Sequence, residues 1–506
     1  MNYWRLNLVL LLAAWPFPAG AQESRSSTDP KKFLESLPDG KLTLDVILAR
    51  ARDTSQTFAA IQSLKSSAEA SEIRAEAGLQ PVLSAEFFST DNRLEPSNPF
   101  QPERLQSTSV RAGVTQSFLT GTTLDFGFRT GPSSLTLPPM PGSPRLIEFD
   151  ESRFDISLSQ NLLRDQFGEV TKANYQLNVL EANVLREQRR AEIETFTLAI
   201  VDDFYRAWLA QIRVQDATET LKRRQRIQKI TRLRLARGTA ERPEILETES
   251  SVVAADVDVR NAADQLRESW LRLATVIDLP DEITQRVDPT KIPLGLDKVD
   301  ERAESICQSV GERKGSASLA QALAELKRAD AVVSQARLND RADLKLEAKY
   351  FGNGIDSSIT DSAVEALRSR HPAWEVALRF QLPMGRLESK ALLKETQSQR
   401  LRAIAQAEEL KDQEQVSWSM RCREIGRRVR DLRILRDNAK RQTERARLEQ
   451  DRFDIGRITL TEVTRAEDEA LQARIRLREE EIALRRTVWS LRELAGQIPE
   501  TMEVLP

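Results

Sequence analysis

The chain has 506 residues, 30% of them charged and 6% aromatic, with 2 Cys and 1 His, and 75 Lys+Arg against 77 Asp+Glu leave a formal net charge of −2. No basic surface is advertised for nucleic acid, two cysteines make neither a disulfide scaffold nor a four-thiolate zinc site, and one His removes most transition-metal and His-dependent catalytic designs. The Ala/Leu/Glu/Arg-rich remainder points to long helices, in a chain longer than one compact core usually holds.

In chain order, Met1–Arg5 carries one positive charge, Leu8–Trp15 is an apolar run of eight, and Ala19-Gly20-Ala21 matches a small-residue cleavage pattern. Residues 1–21 therefore read as a secretory signal peptide, because eight apolar residues fall well short of the roughly 20 that span a bilayer. No Cys follows Ala21 directly, so no lipid anchor is expected there. Residues 22–40 are polar and contain Pro30 and Pro38, a loosely held segment. Lys41–Gly78 reads as one helix, with Leu42, Leu44, Ile47 and Leu48 at helical spacing and Pro81 closing it. Val82–Leu163, rich in Thr, Ser, Gly and Phe, reads as strands. Asp165–Arg237 contains no Pro, and Ile193, Phe196, Ile200, Phe204, Trp208 and Ile212 form a narrow apolar stripe, so the spacing predicts a helix roughly 110 Å long. Gly238 and Pro243 mark a turn, and Glu244–Val276 returns as a helix to Pro280.

A connector, residues 281–316, precedes a second copy of the same plan. Ala317–Leu338 reads as helix, Leu344–Phe351 and Trp374–Gln381 as strands, Arg386–Asp454 as a long Pro-free helix, Gly456 as a turn and Leu460–Ala495 as the returning helix. Gly238, Glu244, Ile245 and Glu249 reappear as Gly456, Glu462, Val463 and Glu467, each offset by 218 residues, and Phe154, Ile156 and Leu158 reappear as Val376, Leu378 and Phe380, offset by 222. A common offset at turns and junctions marks duplication. The repeats are expected at 41–280 and 317–497, with a tail at 498–506. The short helices of each repeat stack end to end beside the long one, and a wall of such narrow-striped helices satisfies itself by closing into a ring of copies.

The strands alternate. Trp374, Val376, Leu378 and Phe380 interleave with Glu375, Ala377, Arg379 and Gln381, and Leu344, Leu346, Ala348 and Tyr350 with Lys345, Glu347 and Lys349. One face suits lipid and the other a water-filled lumen, although a soluble sheet packed on a core would alternate in the same way. His371, before Pro372, has no second His and reads as a solvated loop residue, and no Ser or Thr has a paired base, so neither an enzyme nor a cofactor or metal is expected.

With the duplicated plan and the tip motifs Arg237–Glu249 and Phe453–Val463, the chain resembles the TolC-like outer-membrane efflux proteins over about residues 41–497. Pro243 departs from that pattern in the first tip. The resemblance implies a mainly α fold with a membrane β-barrel part: a long α-helical coiled-coil tunnel through the periplasm plus a transmembrane β-barrel completed by a homotrimer. It implies a passive conduit of a tripartite efflux or type I secretion system, in contact with outer-membrane lipid, a periplasmic adaptor and an inner-membrane pump, and with no nucleic acid. The alternative class is a secreted structural coiled coil or an adaptor without a pore. The tip residues Gly238, Pro243, Glu244, Gly456 and Glu462 would dock the adaptor. Glu462 with Arg465 would form an entrance gate, against the plainer reading of Glu462 as a helix-start acid favourable to the dipole. Besides the four strands that match the family, Ser109–Gln116 and Thr122–Arg129 form an additional hairpin, expected either to enlarge the barrel or to extend outside the cell. The resemblance also places the connector around the tunnel's middle, so that Cys307 and Cys422 would lie near one height; they either form a disulfide in an oxidising compartment or are buried separately.

Overall fold

The computed structural model describes residues 41–498 and Met502, apart from 94, 96–97, 99–100, 139–144, 280–283, 285–287, 297–306, 308–314 and 383. The signal-peptide and 22–40 assignments, and most of the connector, lie outside the described residues. The first repeat runs α1 (Leu44–Thr54), α2 (Gln56–Ala77), β1 (Val82–Asn92), β2 (Arg104–Ser117), β3 (Thr122–Thr136), β4 (Leu146–Asn161), α3 (Glu169–Ala236) and α4 (Arg242–Val276). The second runs α5 (Ala317–Asn339), β5 (Asp343–Asp356), α6 (Ile359–Leu367), β6 (Pro372–Gln381), α7 (Leu387–Asp454) and α8 (Leu460–Leu494).

The long helices α3 and α7 have 68 residues each, about 100 Å of rise. The short helices divide the length of α3 between them. Arg186 and Arg189 reach Glu72 and Gln62 of α2 along its strand-proximal part, and Arg232 reaches Glu249 of α4 near the far end. In the second repeat Arg400 pairs with Asp330 of α5, while Arg428 and Arg445 pair with Glu480 and Glu469 of α8. The single helix expected over Lys41–Gly78 is two. Ser55 takes an extended ψ of 125°, ends α1, and caps α2 by accepting from Phe58 N. That break lets Leu44, Ile47, Leu48 and Ala51 turn into the main core with Ile193, Phe196, Ile200, Phe204 and Trp208 of α3. The apolar stripe is thus buried at mid-height, where Gln211 also holds the connector by donating to the carbonyls of Pro289 and Ile292 and accepting from Leu294 N.

All six strands form one antiparallel sheet in chain order. The additional hairpin is longer than its sequence pattern indicates and lies inside the sheet, with Val82–Asn92 paired residue for residue to Thr115–Leu105. Its turn, Phe118–Gly121, sits at the helical end, where Gly121 (φ 72°) packs on the Asp165 carbonyl. An extension projecting from the opposite rim is therefore not what this hairpin forms. The link between β5 and β6, read as loop, contains α6, whose buried Ser362 and Ala366 lie on Gly354 and Gly352; a Cβ on Gly354 would fall 2.1 Å from the Ser362 carbonyl oxygen.

Candidate functional site

Most of the candidate residues, Gly238, Pro243, Glu244, Gly456, Glu462 and Arg465, lie at the helix tips. Both long helices end the same way. Gly238 (φ 74°) and Gly456 (φ 76°) take the left-handed conformation that suits glycine. Thr239 N donates to the Arg234 carbonyl and Arg457 N to the Arg452 carbonyl, closing each helix with a six-residue loop of the Schellman type. The helices that leave the tips differ. α8 starts with a capping box, in which Glu462 accepts from Thr459 N at 2.8 Å and donates its own N–H to Thr459 Oγ1. α4 has no side-chain cap and starts with Pro243 in its first turn beside Glu244. Bonding to Thr459 holds the exposed Glu462 carboxyl below its ordinary range, so it is charged at neutral pH. Arg465 turns to Glu469 at 3.0 Å, not to Glu462.

A seam that no local pattern announced joins the first repeat to the second at this end. Arg224, buried on α3, lies 2.6 Å from Asp468 and 3.8 Å from Glu467 of α8. Desolvation of Glu467 raises its pKa. Arg226 pairs with Asp454, and Arg474 of α8 reaches back to Asp216 and Glu219. Arg234 stacks over the Phe453 ring at 4.3 Å and donates to the Phe453 carbonyl. Phe453 packs with Ile227, Leu460 and Val463 in a small core of its own. The second tip is thus clasped against α3 by both charge and apolar contact.

At the other end, the sheet has two chemically distinct faces. Leu83, Phe87, Val114, Phe126, Ile156, Leu158, Tyr350, Trp374, Val376 and Phe380 share one face across all six strands, and each is more than a third exposed. The opposite face carries ion pairs that cross strands. Arg111 on β2 reaches Glu86 on β1, Asp125 on β3 and Asp155 on β4, at 3.8, 2.9 and 3.0 Å. Gly127 opens the path to Asp155, since a Cβ there would lie 2.5 Å from the Arg111 guanidinium. Glu347 on β5 pairs with Lys345 and with Arg379 on β6. His371 is exposed between α6 and β6.

Midway along the helices the structure joins Cys307 to Cys422, with Cα atoms 5.7 Å apart, beside a core of Trp418, Ile425, Leu484, Val488 and Leu491. Close by, two carboxylates converge on the start of α5. Glu194 Oε2 accepts from Ala317 N at 3.0 Å, and Glu414 accepts from Ser316 N at 3.1 Å and from the Ser316 hydroxyl. Burial pushes the Glu194 carboxyl up to about 8, with Glu493 and Glu414 adding to the rise. Among the described residues no group of three or more His, Cys, Asp and Glu could hold a metal ion, and no helix is long and apolar enough to cross a membrane.

No protein-family profile matches this chain, and no curated protein is similar to it in sequence. Solved structures are similar in fold. The outer membrane protein VceC of Vibrio cholerae superposes with a TM-score of 0.63 at 13% identity, over 90% of this chain and 96% of that one. The CmeC outer membrane channel of Campylobacter jejuni gives 0.64 at 10%, over 90% and 85%. The open state of the MtrE outer membrane channel of Neisseria gonorrhoeae gives 0.58 at 14%, over 90% and 89%. The chain has the fold of these outer-membrane channels, and in that respect the resemblance drawn from the duplicated plan and tip motifs holds.

Proposed function

We propose that this chain, built on the fold of the outer-membrane channels, is the channel-tunnel of a tripartite efflux or type I secretion system. Three copies close the sheets into a barrel in the outer membrane and the helices into a tunnel through the periplasm, and substrate passes from an inner-membrane pump and adaptor to the exterior without chemistry on the way. Residues 1–21 direct export, 41–280 and 317–497 form the two repeats, and 281–316 joins them at the tunnel's middle.

The observation that carries this reading is the pair of sheet faces. A soluble coiled-coil protein or an adaptor would hide an apolar face spanning six strands, whereas here it is bare and backed by a face of bridged ions. Lipid on one side and water on the other satisfy both. At the far end, Gly238, Pro243, Glu244, Gly456 and Glu462 form tips on which adaptor hairpins dock, and Glu462 from three copies supplies a ring of carboxylates at the entrance, with Arg465 beside it. Such a ring concentrates cations and repels anions.

Outer-membrane fractionation with heat-modifiable migration in detergent gels tests the reading. We expect a membrane-bound species that migrates as a trimer without heating and as a single chain, shorter than the full sequence by the export signal, after it; recovery as a soluble monomer would refute it. Glu462→Gln should reduce cation selectivity in planar bilayers, and unchanged selectivity would remove the gate while leaving the channel.

A further inference from the structure

Among the described residues, four junctions join the sheet to the helical columns: α2 to β1, β4 to α3, α5 to β5 and β6 to α7. Each gives one strand to one helical column. The β2–β3 hairpin has no column of its own, and its turn rests on the start of α3. There Asp165 caps the helix by accepting from Val170 N and Thr171 N, and a Cβ on Gly168 would fall 1.7 Å from the Leu119 carbonyl oxygen. The hairpin is nevertheless wall and not appendage. It pairs along its length with β1 on one side and β4 on the other, it continues the apolar face through Val114 and Phe126, and it supplies Arg111 and Asp125 to the ionic one.

The widths of the two layers explain why six strands suit this molecule. Helical columns pack 8–10 Å apart, so four of them occupy an arc of roughly 32–40 Å. Strands 4.8 Å apart and tilted by about 40° advance about 6.3 Å each around a barrel, so four would cover only about 25 Å and six about 38 Å. Six strands meet four columns without a constriction.

We infer that three copies close an eighteen-stranded barrel, each copy contributing six strands, with the free edge of β6 pairing antiparallel to the free edge of β1 in the next copy. The inference rests on the channel reading and adds the size of its outer mouth. β1 leaves the helices and β6 returns to them, the two edges are 11 and 10 residues long, and both present the same alternation of faces. These are the unpaired edges among the described strands, and a second copy satisfies both while keeping the apolar band unbroken. Eighteen strands give a backbone diameter of about 36 Å against about 24 Å for twelve, so about twice the cross-section, lined by the Arg111 and Glu347 ion pairs.

Electron cryo-microscopy of the full-length protein extracted from outer membranes in mild detergent tests this by counting strands. Eighteen, with β2 and β3 in the wall of every copy, is the expected result. A twelve-stranded barrel with the hairpin folded out of the wall would overturn the inference and leave the channel reading standing, whereas absence of any closed barrel would overturn both. As a second measurement, the emission that Phe126→Trp adds over a background lacking Trp374, in which Trp208, Trp270, Trp418 and Trp489 remain buried on the helices, should fall by at least half in brominated-lipid vesicles. No quenching of the Phe126→Trp emission would show that β3 does not face lipid and would overturn the inference.

Discussion

At the scale of single residues, the buried Glu194 makes the clearest prediction. Its carboxyl is held near 8 by burial, against an ordinary value of 4.5, with Glu493 and Glu414 adding to the rise and the Ala317 N–H and Arg190 opposing it. The folded protein therefore keeps a proton that the unfolded chain gives up, and this group's contribution to stability falls as pH rises from about 4.5 to 8. Glu194→Gln should flatten that part of the curve of thermal midpoint against pH and stabilise the protein at pH 8, by about 1–3 kcal/mol once residual solvent screening is allowed for. A variant with the wild-type slope would assign the dependence elsewhere. Gly456 makes a second prediction. Valine at φ 76° costs about 1–2 kcal/mol of local strain and brings a side chain toward Arg234. Gly456→Val should therefore leave trimers intact and abolish pull-down of the adaptor, and full efflux in this variant would count against docking at the tip. The glycines were legible in the sequence because a helix stop is local. Glu194 was not, because its burial depends on α5, which begins 123 residues later.

Between elements, the seam of α3 with α8 holds the second tip against the first repeat. Arg224 and Asp468 are 244 residues apart, so neither periodicity nor motif could pair them. On the sequence each is one more charge on a charged helix. Their geometry matters because Arg224 is buried, and removing it takes from the desolvated Glu467 the cation it pairs with, a loss of roughly 3 kcal/mol. Arg224→Ala combined with Arg234→Ala should release the second tip from α3 and raise single-channel conductance several-fold, and an unchanged conductance would show that the seam does not hold the tunnel closed. Helix positions were readable from long Pro-free runs. The break at Ser55 was not, since Ser fits a helix interior as well as a cap and only the packing of Leu44, Ile47 and Leu48 chooses between them.

Over the whole molecule, duplication was visible in the sequence because its markers sit at turns, where few residues fit, whereas the six-stranded sheet was only partly visible. The β2–β3 pattern showed a hairpin, but its place between β1 and β4 depends on backbone pairing that side-chain alternation does not encode. The connector is also tied covalently to the second repeat. The bond between Cys307 and Cys422 spans 115 residues, and chain entropy values such a link at up to about 5 kcal/mol. Alkylation without reduction should find no free thiol on exported protein, and Cys422→Ser should lower the thermal midpoint; two alkylated cysteines would refute the link. The bare edges of β1 and β6 carry a last, genetic consequence. If every barrel is assembled from three equal shares, a copy with a broken edge spoils the ring it joins. A cell making wild-type chain and an edge-defective chain in equal amounts would then keep only about one intact barrel in eight, and mutations on these two strands would behave as dominant, while lesions that stop a chain from folding at all would be recessive.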